Sequence, residues 1–125
     1  MKLKDKAFLS YSAAVDKKAL DIVVYDIRGL SSIADIFIIC SGTSSRQVQA
    51  IADAVKEEMD NRGIRCHHVE GYESGRWVLL DYNDVIIHIF YEETRRFYGL
   101  ERLWGDAPAI VFDSSIKKVH DSAKN

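Results

Sequence analysis

The first residues that could do chemistry lie where an apolar strand turns into a helix. Ser41-Gly42 follows the run Ile36-Phe37-Ile38-Ile39, and Ser44 opens a helical pattern. A helix N-terminus offers free backbone N–H groups to a phosphate. Enzymes that transfer nucleotides also need two carboxylates one residue apart on a following strand, to hold a metal ion. No Asp-x-Asp or Asp-x-Glu follows Gly42 on a predicted strand, so a capped helix explains the junction better than a phosphate site.

Two other reactive combinations have even less support. Cys66-His67-His68 has no second cluster at zinc spacing, and adjacent side chains on a strand point to opposite faces. His88 and an aspartate could join a serine in catalysis, but no Gly-x-Ser-x-Gly motif frames a nucleophile. We therefore expect no catalytic residue, no metal ion and no cofactor. The enzymatic alternative is a nucleotidyl or phosphoryl transferase that acts through Ser41, Gly42, Ser45 and Asp35.

A Trp and a His indicate a different kind of site, on a predicted β-hairpin. Two apolar runs, 77–81 and 84–90, are separated by Tyr82-Asn83, and Asn tolerates the positive φ of a tight turn. Pairing Asp81 with Asp84 puts Trp77 opposite His88. Because side chains alternate along a strand, two apolar faces result. One face carries Trp77, Leu79, Ile86, His88 and Phe90, and the other carries Val78, Leu80, Val85, Ile87 and Ile89.

The pair of Trp77 and His88 has two interpretations. Both side chains could belong to an ordinary core. Alternatively, they form the centre of a partner-binding patch, because Trp is a large apolar anchor whose N–H is easily satisfied at an interface. The polar rim of such a patch would consist of Arg76, Asp81, Tyr82 and Asp84.

The other patterns place the hairpin in an α/β domain with a mixed sheet of about five strands and flanking helices. Helices are predicted over 6–19, 44–61 and, as a short helix or two irregular turns, 94–104; further strands are predicted over 21–27, 34–40 and 64–69. Ser44 and Gln47 have the spacing of a capping box, and Gly63 is the expected end of that helix. We predict a single domain over residues 1–108 and a partly disordered C-terminal tail over 109–125.

Composition argues against several classes of protein. Among 125 residues, 17 are basic and 19 acidic, a net charge of −2, whereas proteins that bind nucleic acid through its phosphates usually show a basic excess. No apolar run approaches the ~20 residues that span a membrane, and the first residues lead into no signal-peptide core. Cys40 and Cys66 end apolar runs, so we expect reduced packing residues in a cytoplasmic protein. Protein–protein contact is the expected mode of action.

A series of motifs runs through most of the chain in a fixed order. It comprises Ala19-Leu20-Asp21-Ile22, Asp35-Ile36-Phe37-Ile38-Ile39-Cys40-Ser41-Gly42, Ser45-Arg46-Gln47, Ala50-Ile51-Ala52, Glu70-Gly71, Trp77-Val78-Leu79-Leu80-Asp81-Tyr82, Asp84-Val85-Ile86-Ile87-His88-Ile89-Phe90 and Phe97-Tyr98-Gly99-Leu100-Glu101-Arg102-Leu103-Trp104. No single motif is diagnostic, but the ordered set resembles the ribosomal silencing factor family, also called Iojap-like proteins.

The resemblance implies a fold related to that of nucleotidyltransferases, without their metal-binding carboxylates, and an activity that is not enzymatic. Members of the family bind the large ribosomal subunit through its fourteenth protein and sterically prevent the small subunit from joining, which represses translation. Relatives in organelles help to assemble the large subunit, so large-subunit biogenesis is the alternative function.

On this basis the docking face should be the hairpin surface around Trp77 and His88, extended by residues near Trp104. The expected partner-binding residues are Arg76, Trp77, Leu79, Asp81, Tyr82, His88, Tyr98, Leu100, Glu101 and Trp104. We also expect a homodimer, because exposed apolar sheet on a small domain tends to be covered.

Overall fold

The computed structural model describes residues 2–113 and 118–121. Its elements in chain order are α1 (Leu3–Asp16), β1 (Leu20–Asp26), β2 (Ile36–Gly42), α2 (Ser45–Asn61), β3 (His68–Glu70), β4 (Trp77–Asp81), β5 (Val85–Tyr91), α3 (Glu92–Tyr98), a 3₁₀ helix (Leu100–Trp104), β6 (Ile110–Asp113) and β7 (Lys118–Asp121). Five strands form one sheet in the order β1-β2-β5-β4-β3. Strands β2 and β5 are parallel and the other neighbours are antiparallel, which confirms the predicted mixed α/β sheet.

Helices α1 and α2 pack on one face of the sheet and enclose the larger core. The apolar stripe of α2 is buried as its spacing predicts, with Val48, Ile51, Ala52, Val55 and Met59 facing inward. From the sheet, Ile36, Ile38, Cys40, Val78, Leu80, Val85, Ile87 and Ile89 meet them. Within the described residues, no helix combines the length and apolar character that crossing a membrane requires.

The predicted capping box of α2 is half formed. The Oγ atom of Ser44 accepts a hydrogen bond from the backbone N–H of Gln47 at 3.0 Å. The side chain of Gln47 accepts from the backbone N–H of Thr43 at 2.7 Å, one residue before the expected partner. At the other end, Gly63 takes a φ of +74° directly after α2. The helix therefore ends at the predicted glycine.

The opposite face of the sheet carries a smaller core. Its buried residues are Ile27, Ala34, Phe37 and Ile86, and Tyr25, Leu79, Trp104 and Ala107 pack against them in part. The 3₁₀ helix and the chain that follows it provide this cover. Both faces of the central strands are thus covered, one by two long helices and the other by short segments.

The hairpin of β4 and β5 keeps the predicted faces but not the predicted register. Trp77 lies opposite Phe90 and Leu79 opposite His88, so the direct pairing of Trp77 with His88 is wrong. The turn is centred one residue later than expected, because the backbone N–H of Tyr82 donates to the carbonyl of Val85 at 2.9 Å. Asn83 has the positive φ, +77°. A register change of two residues preserves the alternation, and for that reason the two faces are confirmed.

Residues that follow the boundary predicted at residue 108 also pack on the domain. Ile110 and Phe112 are buried, and the Phe112 ring packs against those of Phe8 and Tyr11 on α1, with centroids 5.3 and 5.0 Å apart. The β6 strand pairs with β7, and the backbone N–H of Asp26 donates to the carbonyl of Pro108 at 2.9 Å. The folded domain therefore includes β6. Residues 114–117 and 122–125 of the predicted tail lie outside the described residues. The strand predicted over 64–69 is shorter, spanning His68–Glu70.

Two glycines with similar backbone angles should differ sharply in their tolerance of a side chain. Gly71 has a φ of +76°, and a Cβ there would lie 2.0 Å from the carbonyl oxygen of Trp77. Gly63, at +74°, would meet nothing within 4 Å. We expect Gly71→Ala to lower the free energy of unfolding by about 3 kcal/mol or more, and Gly63→Ala by about 1 kcal/mol from backbone strain alone. Urea unfolding measures both, and equal losses would contradict this close approach.

Candidate functional site

An aromatic row crosses the face of the sheet that α1 and α2 leave uncovered. It consists of Tyr98, Trp77, His88, Phe37 and Trp104, with ring centroids 5.0, 5.9, 4.8 and 5.2 Å apart in that order. The alternation of β4 and β5 places the middle of the row on one side of the hairpin. Ring contacts of this kind contribute beyond the area they bury. The row therefore joins the smaller core to the outer surface of the domain.

Trp77 is held on three sides within this row. Its ring stacks on Phe90, the residue opposite it in the hairpin, at a centroid distance of 4.8 Å and an interplanar angle of 28°. Tyr98 packs against the ring from α3. The indole Nε1–H donates a hydrogen bond to Nδ1 of His88 at 3.1 Å. Trp77 and His88 are thus diagonal neighbours joined by a hydrogen bond.

His88 is buried in this arrangement, with 4% of its surface exposed. Burial lowers the pKa of His88 to about 4, so the imidazole is neutral near pH 7. Since Nδ1 accepts the indole hydrogen bond, the single ring proton sits on Nε2. That Nε2 atom is buried and has no hydrogen-bond partner among the described residues.

Beside Trp77 the surface opens into a concave site, the aromatic groove, of about 550 Å³. Its residues are Ser74, Arg76, Trp77, Glu93, Thr94, Phe97 and Tyr98. The two aromatic side chains that α3 contributes are strongly exposed, Phe97 at 82% and Tyr98 at 55%. Arg76 and Glu93 place opposite charges on its lining. An exposed apolar wall with a polar margin is typical of a protein-binding surface.

Helix α3 presents these aromatics because it is short and begins directly after β5. It ends at Gly99, which has a φ of +56°. Arg95, on the same helix, is 8% exposed; its Nε donates to Oε2 of Glu101 at 3.0 Å and its Nη1 to Oγ of Ser41 at 2.8 Å. This buried guanidinium ties α3 and the 3₁₀ helix to the end of β2. Because α3 has only seven residues and its buried side chain is Arg95, Phe97 stays exposed to solvent.

The ten predicted partner-binding residues divide into four groups. Arg76, Trp77 and Tyr98 line the aromatic groove. Leu79, His88, Leu100 and Trp104 are half-buried or buried beneath the surface, while Asp81 accepts from the backbone N–H of Asn83 at 2.7 Å and Glu101 pairs with Arg95. Tyr82 is completely buried in the larger core, so its predicted place in the rim is wrong.

The candidate enzyme residues do not converge. Asp35 precedes the first residue of β2 and Ser41 lies near its last, which separates them by roughly 20 Å along an extended strand. Ser41 is buried and its hydroxyl accepts from Arg95. Across residues 2–113 and 118–121, no three His, Cys, Asp or Glu side chains are grouped as a metal site requires. Both cysteines are free thiols, and burial raises the pKa of Cys40 to about 12, as suits a packing residue.

Five residues in or beside the groove are absent from the predicted site: Ser74, Glu93, Thr94, Arg95 and Phe97. The signal for Phe97 was its position next to Tyr98 on a helix too short to bury both. The signal for Arg95 was weaker, because an Arg is seldom buried without partners, and its partners here lie on other elements, Ser41 on β2 and Glu101 in the 3₁₀ helix.

Comparison with known proteins decides the family. Residues 2–125 match the model of a family described as "Ribosomal silencing factor during starvation". The chain belongs to the ribosomal silencing factor family. A "Ribosomal silencing factor RsfS" of Bacillus subtilis is 45% identical over 113 residues, which cover 89% of this chain and 96% of that protein.

Two further proteins that this chain resembles bear on its fold and family. A crystal structure of a Chromobacterium violaceum protein superimposes with a TM-score of 0.83 at 36% identity, covering 84% of this chain and 88% of that one. A mouse protein named "Mitochondrial assembly of ribosomal large subunit protein 1" is 30% identical over 93 residues, covering 70% of this chain and 40% of that protein. The predicted family is confirmed.

Stability should fall in weak acid because His88 is buried neutral. The unfolded chain binds a proton on this residue near pH 6.5 and the folded protein only near pH 4, so the unfolded state gains protons first. We expect the free energy of unfolding to decrease as the pH falls from 6.5 to 4, by up to about 3 kcal/mol. His88→Leu should lose this pH dependence. The prediction would be contradicted if the free energy of unfolding, measured with urea at several pH values, fell equally in both proteins.

Proposed function

We propose that this protein binds the large ribosomal subunit through the subunit's fourteenth protein and thereby blocks joining with the small subunit, repressing translation. Family membership supports a ribosomal silencing role. The observation that carries the docking site is the aromatic groove, in which Phe97 and Tyr98 stand exposed beside Trp77. Such a mechanism acts by occupancy and turns nothing over.

The groove has the features that a specific protein contact requires. Trp and Tyr contribute most where they are central to an interface, and here both belong to rigid elements, β4 and α3. Arg76 and Glu93 can pair with charges on the partner and exclude water from the apolar centre. A typical contact buries about 800 Å² per partner, so the docking face would extend beyond the groove onto the surface around it. The near-neutral chain then docks in the cytoplasm on protein rather than on RNA.

Removing the groove's aromatic wall should weaken ribosome binding without unfolding the domain. We expect Trp77→Ala to lower affinity for isolated large subunits by about 2 kcal/mol or more, roughly 30-fold, in co-sedimentation at moderate salt. Phe97→Ala, at a side chain that is 82% exposed, should weaken binding about tenfold at unchanged stability.

The matched control is Val111→Ala, an exposed apolar residue on β6, which pairs with β7 and lies beside β1 rather than the groove. It should bind as the unaltered protein does. Normal binding by both groove variants would contradict the proposed docking face.

The blocking step has its own test. Separated subunits should join less when the protein is added in excess, and joining should recover with Trp77→Ala at the same concentration. Light scattering or gradient sedimentation follows the joined particle. A protein that binds large subunits tightly yet leaves joining unchanged would contradict silencing and favour the alternative.

That alternative is assembly of the large subunit, which the name of the mouse relative favours. It would use the same groove. Depletion of the protein should then accumulate incomplete large subunits during growth, whereas a silencing factor should alter joining only. The predicted homodimer stays part of the proposal, because Leu30, Ile33 and Leu103 are also strongly exposed apolar side chains.

A further inference from the structure

The indole N–H of Trp77 is already used within the protein. It donates to Nδ1 of His88 at 3.1 Å, and the imidazole that accepts it is 4% exposed. His88 itself packs against Phe37 at 4.8 Å and lies in the next cross-strand position, opposite Leu79. A partner seated in the aromatic groove therefore reaches Trp77 but not His88.

We propose that His88 is a positioning residue, which fixes the indole of Trp77 in its docking orientation through this hydrogen bond and never touches the partner. The inference rests on the proposed function of the groove. A half-exposed Trp at the edge of a groove can adopt alternative side-chain orientations, and ordering it during binding reduces affinity. The hydrogen bond to His88 orders the indole before the partner arrives, because turning the ring over would leave the N–H without its acceptor. Less conformational entropy of Trp77 is then lost on binding.

The same bond fixes the chemistry that Trp77 offers. With its only donor occupied, the indole presents ring face and carbon edges to the groove. The partner surface that fits is therefore apolar or cationic at this point, since a cation is attracted to an indole face. A backbone carbonyl or carboxylate seeking a donor from Trp77 would find none.

Two substitutions of matched shape separate the hydrogen bond from the packing. Leu and Asn branch at the same atom, so His88→Leu and His88→Asn fill similar space, but Asn alone offers an acceptor where Nδ1 lies. We expect His88→Leu to weaken binding to isolated large subunits about tenfold, and His88→Asn to stay within about threefold of the unaltered protein. Equal losses in both variants would overturn the inference.

A double-mutant cycle tests whether His88 acts through Trp77. In a Trp77→Ala background, His88→Leu should cause no further loss of affinity, because the group it positions is absent. A second loss as large as the first would show that His88 acts on binding by another route and would overturn the proposal.

Nuclear magnetic resonance of the unaltered protein gives a readout that needs no variant to fold. Long-range ¹H–¹⁵N spectra at pH 7 should show His88 with a bare Nδ1 and a protonated Nε2, and a proton on Nδ1 would overturn the inference. The failures are distinguishable. If Trp77→Ala and Phe97→Ala bind normally, the proposed docking face is wrong; if they lose binding and His88→Leu does not, only the positioning role is wrong.

Discussion

The central constraint on this fold is that β2 and β5, parallel neighbours in the middle of the sheet, are apolar on both faces. Every residue of β2 is buried, and so is every residue of β5 before Tyr91. Parallel strands of this kind need cover on both sides. Two long helices cover one side. The other side is covered by the 3₁₀ helix, the chain after it and aromatic side chains from the sheet. The aromatic row exists because this second cover is thin.

A buried charge adds to the apolar contacts that hold this thin cover in place. Arg95 joins α3, the 3₁₀ helix and the end of β2 through Glu101 and Ser41. Taking a guanidinium from water is unfavourable unless its donors are matched, so the arrangement specifies one position for the segment more than it adds stability. That position aligns Tyr98 against Trp77 at one end and Trp104 against Phe37 at the other.

Local patterns in the sequence predicted elements and faces, but contacts between distant segments escaped them. Side chains alternate between the two faces of β4 and β5 with a period of two residues. A register error of two residues therefore leaves every side chain on its predicted face. Continuing the same alternation one residue past Asp81 would have put Tyr82 inside with Val78 and Leu80, where the structure has it. The burial of Phe112 against Phe8 joins the two ends of the described chain. No local period reports such a contact, so the sequence predicts a tail where the structure has β6.

The side chains that first suggest catalysis have structural duties here, and the surface that carries the proposed function is an aromatic wall with two charged residues, Arg76 and Glu93, on its lining. The Ser41 hydroxyl orients Arg95, and the His88 ring accepts from an indole. Asp35 lies at the far end of the strand from Ser41. A protein that works by occupying a site needs shape, rigidity and apolar area that water leaves readily. The groove draws these from β4 and α3, and the backbone N–H of Tyr91, at the junction of β5 and α3, donates to the carbonyl of Arg76, the residue before β4, at 2.8 Å.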